Sequence, residues 1–325
     1  MRDSTEMQTD PFSDILKFAN AQSVVSGGFT TGGPWAIRFW PKGKIKFFAV
    51  VKGHCWLSTG GESAPVLVEA GDVFLLSAQG PFILAGDLET APVESAAIFT
   101  PGACTITQLG DGSGSFLIGG HVRLDALSGE LLADVLPPLI HVRASSARAK
   151  VLQWIVDQLV HEGASEFPGA DAASAQLAQL MFVQLLRAYL TDADALPAGW
   201  LRTLGDARLA PALRLMHGDP AHQWQLEELA NAAAMSRTTF ALRFRTAAGV
   251  PPLTYLFHWR MRLAERALRD GNATMAALAA SLGYTSESAF SNAFKRTTGM
   301  APKRYRDAAR AEGGRLQPEL ADEGL

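Results

Sequence analysis

The chain has 325 residues, 48% hydrophobic and 19% charged, with 29 Lys and Arg against 32 Asp and Glu for a net charge of −3. This length predicts two or three domains, and this composition excludes an intrinsically disordered chain. No apolar run approaches the ~20 residues that span a bilayer, the opening MRDSTEMQTDPF lacks the apolar stretch of a secretory signal, and two cysteines, Cys55 and Cys104, make no disulfide framework, so a cytoplasmic protein without membrane contact is expected.

The small net charge conceals an uneven distribution. Residues 1–201 carry 12 Lys/Arg and 20 Asp/Glu, residues 202–310 carry 16 and 8, and residues 311–325 carry 1 and 4. A segment of net charge +8 on an otherwise acidic chain points to a polyanionic partner for that segment.

Residues 1–145 are expected to form one domain. Between residues 35 and 125, Gly and Pro punctuate short β-rich runs: WAIRFW (35–40), KFFAVV (46–51), HCWLS (54–58), APVLVE (64–69), DVFLLS (72–77) and AAIFT (96–100). Short strands at such spacing predict a small barrel or sandwich. A closed barrel of this size encloses one small ligand. Trp35, His54, Trp56, Phe74, Phe82 and His121 are the candidates for lining an effector pocket, although core packing explains the aromatic ones equally well. Cys55 and Cys104 raise a redox-sensing alternative. It requires an exposed thiol of lowered pKa, and nothing in the sequence indicates one.

Residues 146–192 read as a helical region for packing or dimerisation. Leu152, Ile155, Val156 and Leu159 stripe a helix over 147–162, and Leu177, Leu180, Met181, Gln184, Leu185 and Ala188 stripe a second over 171–192. These faces pack either on the strands or against a twin chain. Residues 193–205, rich in Ala, Pro and Gly, read as a linker, residues 206–310 as a second domain, and residues 311–325 as an acidic tail.

The second domain contains a repeat at an offset of 50. Ala230, Ser236, Phe240, Phe244, Gly249, Pro252 and Tyr255 recur as Ala280, Ser286, Phe290, Phe294, Gly299, Pro302 and Tyr305. Each copy reads as helix–turn–helix. A short apolar-striped helix precedes a turn, a Ser N-cap starts the second helix, an i,i+4 Phe pair faces inward, and a glycine stops it. Residues 253–270 join the copies as one helix with Leu256, Trp259, Leu263 and Ala267 as its buried stripe. Its 18 residues span ~27 Å, close to the ~34 Å between successive major grooves on one face of a duplex. The outward faces carry Arg237, Thr238 and Arg245 in one copy and Ser288, Ser291, Asn292 and Lys295 in the other, side chains suited to a groove.

The stretch GYTSESAFSNAFKRTTGMAPKRYR (283–306) carries the most specific resemblance. Its Gly283-Tyr284, Ser286, Phe290, Phe294-Lys295, Gly299, Pro302 and Tyr305-Arg306 resemble the DNA-binding domain of AraC/XylS transcription regulators. The resemblance implies a multidomain α+β protein. A cupin-like β-barrel and amphipathic helices would be followed by an all-α domain with two helix-turn-helix motifs on a long connecting helix. It further implies double-stranded DNA as partner, a small-molecule effector, a homodimer, RNA polymerase as a further candidate partner, no cofactor and no enzymatic activity. By position, the first recognition helix would present Arg237, Thr238, Ala241, Leu242 and Arg245, and the second Glu287, Ser288, Ser291, Asn292 and Lys295. Arg243, Arg296, Lys303, Arg304 and Arg306 would meet phosphates. Many relatives carry Arg where this chain has Leu242 and Asn292. Leu242 offers apolar contact, for instance to a thymine methyl, and Asn292 suits adenine.

The order Gly-His-Cys-Trp-Leu (53–57) … Glu-Ala-Gly-Asp-Val-Phe-Leu-Leu (69–76), with LPPLIHVRA (136–144), resembles the cupin-like sensor domain of one branch of those regulators. Many cupins hold a metal through His-x-His, a Glu and a later His. This chain has His54 alone and Phe82 where a histidine often follows Pro, so no metal is expected. The rival reading, a metal-dependent cupin enzyme with a basic appendage, lacks those ligands.

Overall fold

A computed structural model describes residues 10–41, 44–60, 64–77, 80–100, 105–124, 136–165, 167–191, 196, 198–271 and 273–316. The chain divides into two compact units. Of the described residues, one unit comprises 20–189 and the other joins 10–19 to 190–316.

Among the described residues the first unit holds eleven strands: β1 (Gln22–Thr30), β2 (Ala36–Phe39), β3 (Ile45–Lys52), β4 (His54–Thr59), β5 (Val66–Glu69), β6 (Val73–Leu76), β7 (Phe82–Ala85), β8 (Val93–Glu94), β9 (Thr105–Gln108), β10 (Phe116–Arg123) and β11 (Leu139–Val142). They form two open sheets, β11-β6-β3-β10-β1-β9 and β5-β4-β7-β2-β8. The expected barrel is thus realised as an open two-sheet arrangement. Its core draws Phe29, Phe48, Val50, Phe74, Leu76 and Leu117 from the first sheet and Ile37, Phe39, Cys55, Leu57, Phe82 and Leu84 from the second.

The two sheets differ in sequence because they differ in cover. In the larger sheet β3 is buried from Ile45 to Val50 and β6 along its whole length. Phe48 and Val50 face the other sheet. Helices α2 (Ala149–Gly163) and α3 (Ala170–Tyr189) pack against this sheet's strands, and Gln179 accepts from the Ser23 amide and hydroxyl. A strand covered on both faces reads as a continuous apolar run. In the smaller sheet, β4 alternates, with Cys55 and Leu57 inside and His54 exposed. The α2 stripe is as read from the sequence. The α3 stripe is rotated, with Ala178, Met181, Phe182, Leu185 and Leu186 inside and Leu180 exposed.

The second unit is helical: α1 (Pro11–Phe18), α4 (Trp200–Gly205), α5 (Ala210–Gly218), α6 (Leu226–Ala232), α7 (Arg237–Ala248), α8 (Pro252–Asp270), α9 (Met275–Ser281), α10 (Glu287–Thr298) and α11 (Pro302–Leu316). Two features depart from the sequence reading. Residues 10–19 belong with this unit, where Asp10 caps α1 by accepting from the Ser13 amide. Part of the expected linker is helix α4, with Leu201 and Thr203 buried. Residues 311–316 continue α11, and the rest of the expected acidic tail lies outside the described residues.

Two cores organise the helical unit. Leu213, Met216, Leu229, Phe240 and Phe244 fill one, and Met261, Ala264, Leu268, Leu278, Phe290 and Phe294 fill the other. α8 serves both, giving Leu256 to the first. Its fully buried stripe in the second core is Met261, Ala264 and Leu268, with the expected Leu263 and Ala267 half-buried beside them.

Candidate nucleic-acid interface

The fifty-residue repeat is a repeat of atomic detail. Ser236 Oγ accepts from the Thr239 amide at 3.2 Å, and Ser286 Oγ accepts from the Ala289 amide at 3.1 Å. Each caps a helix start that would otherwise leave amides unpaired. The rings of Phe240 and Phe244 lie 5.7 Å apart, with Tyr255 edge-on to Phe244 at 5.4 Å. Phe290 and Phe294 lie 5.8 Å apart, with Tyr305 edge-on at 5.3 Å. Both helices end on left-handed glycines, Gly249 at φ 77° and Gly299 at φ 75°, where a side chain is strained.

Because the Phe pairs are buried, the opposite faces of α7 and α10 are turned outward. On α7, Arg237, Thr238, Leu242 and Arg245 are exposed and Ala241 is half-buried. Leu242 is 68% exposed, a large apolar side chain left in water. On α10, Glu287, Ser288, Asn292 and Lys295 are exposed and Ser291 is half-buried. Arg296, Lys303 and Arg304 are exposed, with the Arg296 guanidinium 5.6 Å from the Phe257 ring centre.

Two cations assigned to phosphates also bond within the unit. Arg306 donates from Nη2 to Ala273 O at 2.7 Å, bracing the segment before α9. Arg243 pairs through Nε with Asp206 Oδ2 at 2.7 Å, tying α7 to the end of α4. Basic character alone made both look like phosphate ligands. Only the fold reveals the carbonyl and carboxylate that hold them.

The first unit contains a cavity of about 150 Å³. Ser26, Phe29, Phe39, Lys46, Phe48 and Phe99 are in its wall, and Trp40, 55% exposed, stands at its mouth. The six side chains expected to line a pocket are not among its lining residues. Trp35, Phe74 and Phe82 belong to the core between the sheets. His54 is exposed, with its carbonyl accepting from Ser115 Oγ at 2.6 Å. Trp56 is half-buried on β4, out of phase with the inward Cys55 and Leu57. His121 adjoins one lining residue, its Nδ1 3.1 Å from Ser26 Oγ. Burial, followed by the charges of Lys46, Lys44 and Arg123, holds the His121 imidazole down at about 4. One sequence signal pointed to the cavity: Lys46 interrupts an apolar strand in phase with the inward Phe48 and Val50.

Cys55 is fully buried, and burial with the nearby Asp72 carboxylate pushes its thiol up to about 12. Such a thiol is not a ready nucleophile. Cys104 lies outside the described residues. Among the described residues, no three His, Cys, Asp or Glu side chains are grouped as metal ligands. His141 instead sets Nε2 2.7 Å from Asp72 Oδ2, and that carboxylate also accepts from the Ala144 amide. Among the described residues no helix is long and apolar enough to cross a membrane.

Comparison with known proteins likewise separates a cupin part from a helix-turn-helix part, although the cupin match includes residues 10–19. The cupin family matches residues 10–191, and a helix-turn-helix domain family matches residues 229–308. A putative AraC-like transcription regulator of Streptomyces lividans is 41% identical over 297 residues, which are 91% of this chain and 98% of that protein. The HTH-type transcriptional regulator AlkR of Acinetobacter baylyi is 29% identical over 85% of this chain and 92% of its own. Among solved structures, the DNA-binding domain of AdpA, the global transcriptional factor, in complex with a target DNA is 34% identical and covers 32% of this chain and 95% of that one, with a TM-score of 0.31.

Proposed function

Since the chain belongs to the AraC-like transcription regulators with an N-terminal cupin domain, we propose that it reads DNA with two helices, α7 and α10, in successive major grooves under the control of a small effector. The observation that carries this reading is the duplicated construction. Two helices with the same Ser caps, buried Phe pairs and glycine stops present short polar and basic side chains outward. Burial of the Phe faces supplies the rigid base, and the outer faces supply donors and acceptors of groove-compatible size. Arg245, Lys295, Arg296, Lys303 and Arg304 supply positive charge for the phosphate backbone, which dominates affinity and makes it salt-dependent.

Within this reading, α7 contributes Arg237, Thr238, Ala241 and Leu242 to base edges, and α10 contributes Glu287, Ser288, Ser291 and Asn292. The effector occupies the cavity walled by Phe29, Phe39, Phe48 and Phe99. A cavity of about 150 Å³ suits a partly apolar molecule of about one ring. The protein acts as a homodimer in the cytoplasm and is not an enzyme.

Selection of bound duplexes from a random library by the full chain tests the proposal. The expected outcome is one enriched motif with two half-sites about one helical turn apart, and affinity that falls steeply with salt, by ~0.9 in log–log slope per phosphate neutralised. Enrichment of no motif would overturn it.

A further inference from the structure

The outward helices α7 and α10 rest on different cores, and α8 runs from one core to the other. A single helical tether still leaves some bending between two motifs, because long helices curve. A second connection closes that freedom. Residues 219–225, which join α5 to α6 in the first motif, lie against the turn at Gly283 in the second. Arg260, from the middle of α8, donates Nε to Pro220 O at 2.6 Å and Nη2 to His222 O at 2.8 Å. Gln223 Nε2 donates to the Gly283 carbonyl. Gly283 has φ +78°, and a Cβ there would stand 2.2 Å from Ala221 O and 2.9 Å from Gln223 Nε2. Only glycine admits so close an approach. The segment 219–225 is itself braced. Asp219 Oδ1 accepts from the His222 amide at 3.0 Å, Trp224 Nε1 donates to Asp219 O at 2.9 Å, and the His222 and Trp224 rings lie 4.2 Å apart.

We propose that Arg260, Gln223 and Gly283 form a clasp that locks the two helix-turn-helix motifs into one rigid reader and thereby sets the half-site spacing the protein accepts. They act as positioning residues, spending their hydrogen bonds on backbone carbonyls within the unit. The inference rests on the two-helix reading above. One base pair more or less between half-sites shifts them by ~3.4 Å and rotates them by about 34–36°. A locked pair then loses contact in one groove, whereas a hinged pair follows the displaced site.

The test uses the full chain and the duplex it selects, together with versions lengthened or shortened by one base pair between the half-sites. Wild-type protein is expected to lose about 10-fold or more in affinity on either altered duplex, the order of a lost base contact. Gln223→Ala removes an exposed side chain outside both cores, and its melting temperature should match the wild type. Arg260→Lys keeps the charge but loses the fork that spans two carbonyls. In both variants the spacing penalty should shrink to about 3-fold or less. Variants that keep the wild-type penalty, or that weaken all three duplexes by one common factor, would overturn the clasp. A wild-type protein that prefers no duplex would overturn the two-helix reading, and the clasp with it.

Discussion

The two helix-turn-helix motifs have the same inside and different outsides. Phe240, Phe244, Gly249 and Tyr255 recur as Phe290, Phe294, Gly299 and Tyr305, in matching geometry. Arg237, Thr238, Ala241, Leu242 and Arg245 become Glu287, Ser288, Ser291, Asn292 and Lys295. A close-packed core admits few substitutions, while a water-facing helix surface admits many. The duplicated unit therefore kept the side chains that hold the helix and changed those it presents. It follows that the two motifs should be interchangeable in stability and distinct in the bases they read.

The largest expected effect tests the shared interior. Phe244→Ala and Phe294→Ala each delete a fully buried ring and should each cost about 3–5 kcal/mol, read by chemical denaturation of the full protein. A large inequality between the two would break the equivalence. The next effect tests the difference outside. Asn292→Ala should cost ~1–3 kcal/mol in DNA affinity and relax preference at one base pair, whereas Lys295→Ala should weaken binding uniformly across sequences and lower the salt slope by about 1. Binding measured over a site library separates the two, and like behaviour would collapse the division between reading and positioning. Leu242→Asn should move the preference of the first half-site away from thymine, toward that of the second. A smaller effect returns to the scaffold. Gly249→Ala and Gly299→Ala each force a side chain into a left-handed position with open space around it, and each should cost about 1 kcal/mol.

Acid should separate the motifs. His217 is buried in the first core, stacked on Trp259 at 4.1 Å and within 2.9 Å of the Tyr255 hydroxyl. Burial lowers its pKa below the ordinary 6.5, and Asp14 opposes the shift only in part. A depressed histidine pKa means that the unfolded chain binds the proton first. Stability from this group is therefore present above about 6.5 and declines as pH falls below it. Glu265, on the stretch of α8 that serves the second core, is raised by burial, so protonation at lower pH favours its folded form. Hydrogen exchange at falling pH should open α5 before α10. Simultaneous opening would count against His217 as the cause.

Most of the helical unit was legible because its determinants are local. Ser caps, a Phe pair four residues apart and a glycine stop act within one or two turns of chain, and their recurrence at offset 50 supplied an internal control. The β-rich unit was legible only in part: five of the six runs are β2 to β6, but the run at 96–100 meets a 3-10 helix at Ser95–Ala97, and neither β1 and β10 nor the site was read. Trp35, Phe74 and Phe82 looked like pocket walls because aromatic character does not distinguish a core between sheets from a cavity lining. Phe39 and Phe99, which do line the cavity, carry the same character. Residues 10–19 lie next to the strands in sequence and yet belong to the other unit, with Asp14 3.8 Å from His217. No local pattern encodes that choice.

By itself the sequence determined the repeat, the helices with their caps and stops, the faces that α7 and α10 turn outward, and the likeness to AraC-type regulators. Each of these follows from short-range periodicity or from side chains within a turn of one another. Only the tertiary structure decided which cations also bond inside the unit. Arg306 donates to Ala273 O and Arg243 pairs with Asp206, partners that no local pattern announces. Arg260 and Gln223 attracted no notice until the fold set Pro220 O and the Gly283 carbonyl, 40 and 60 residues away in sequence, beside them. A charged or amide side chain takes its role from the partners placed within its reach, and for these residues the fold brings them.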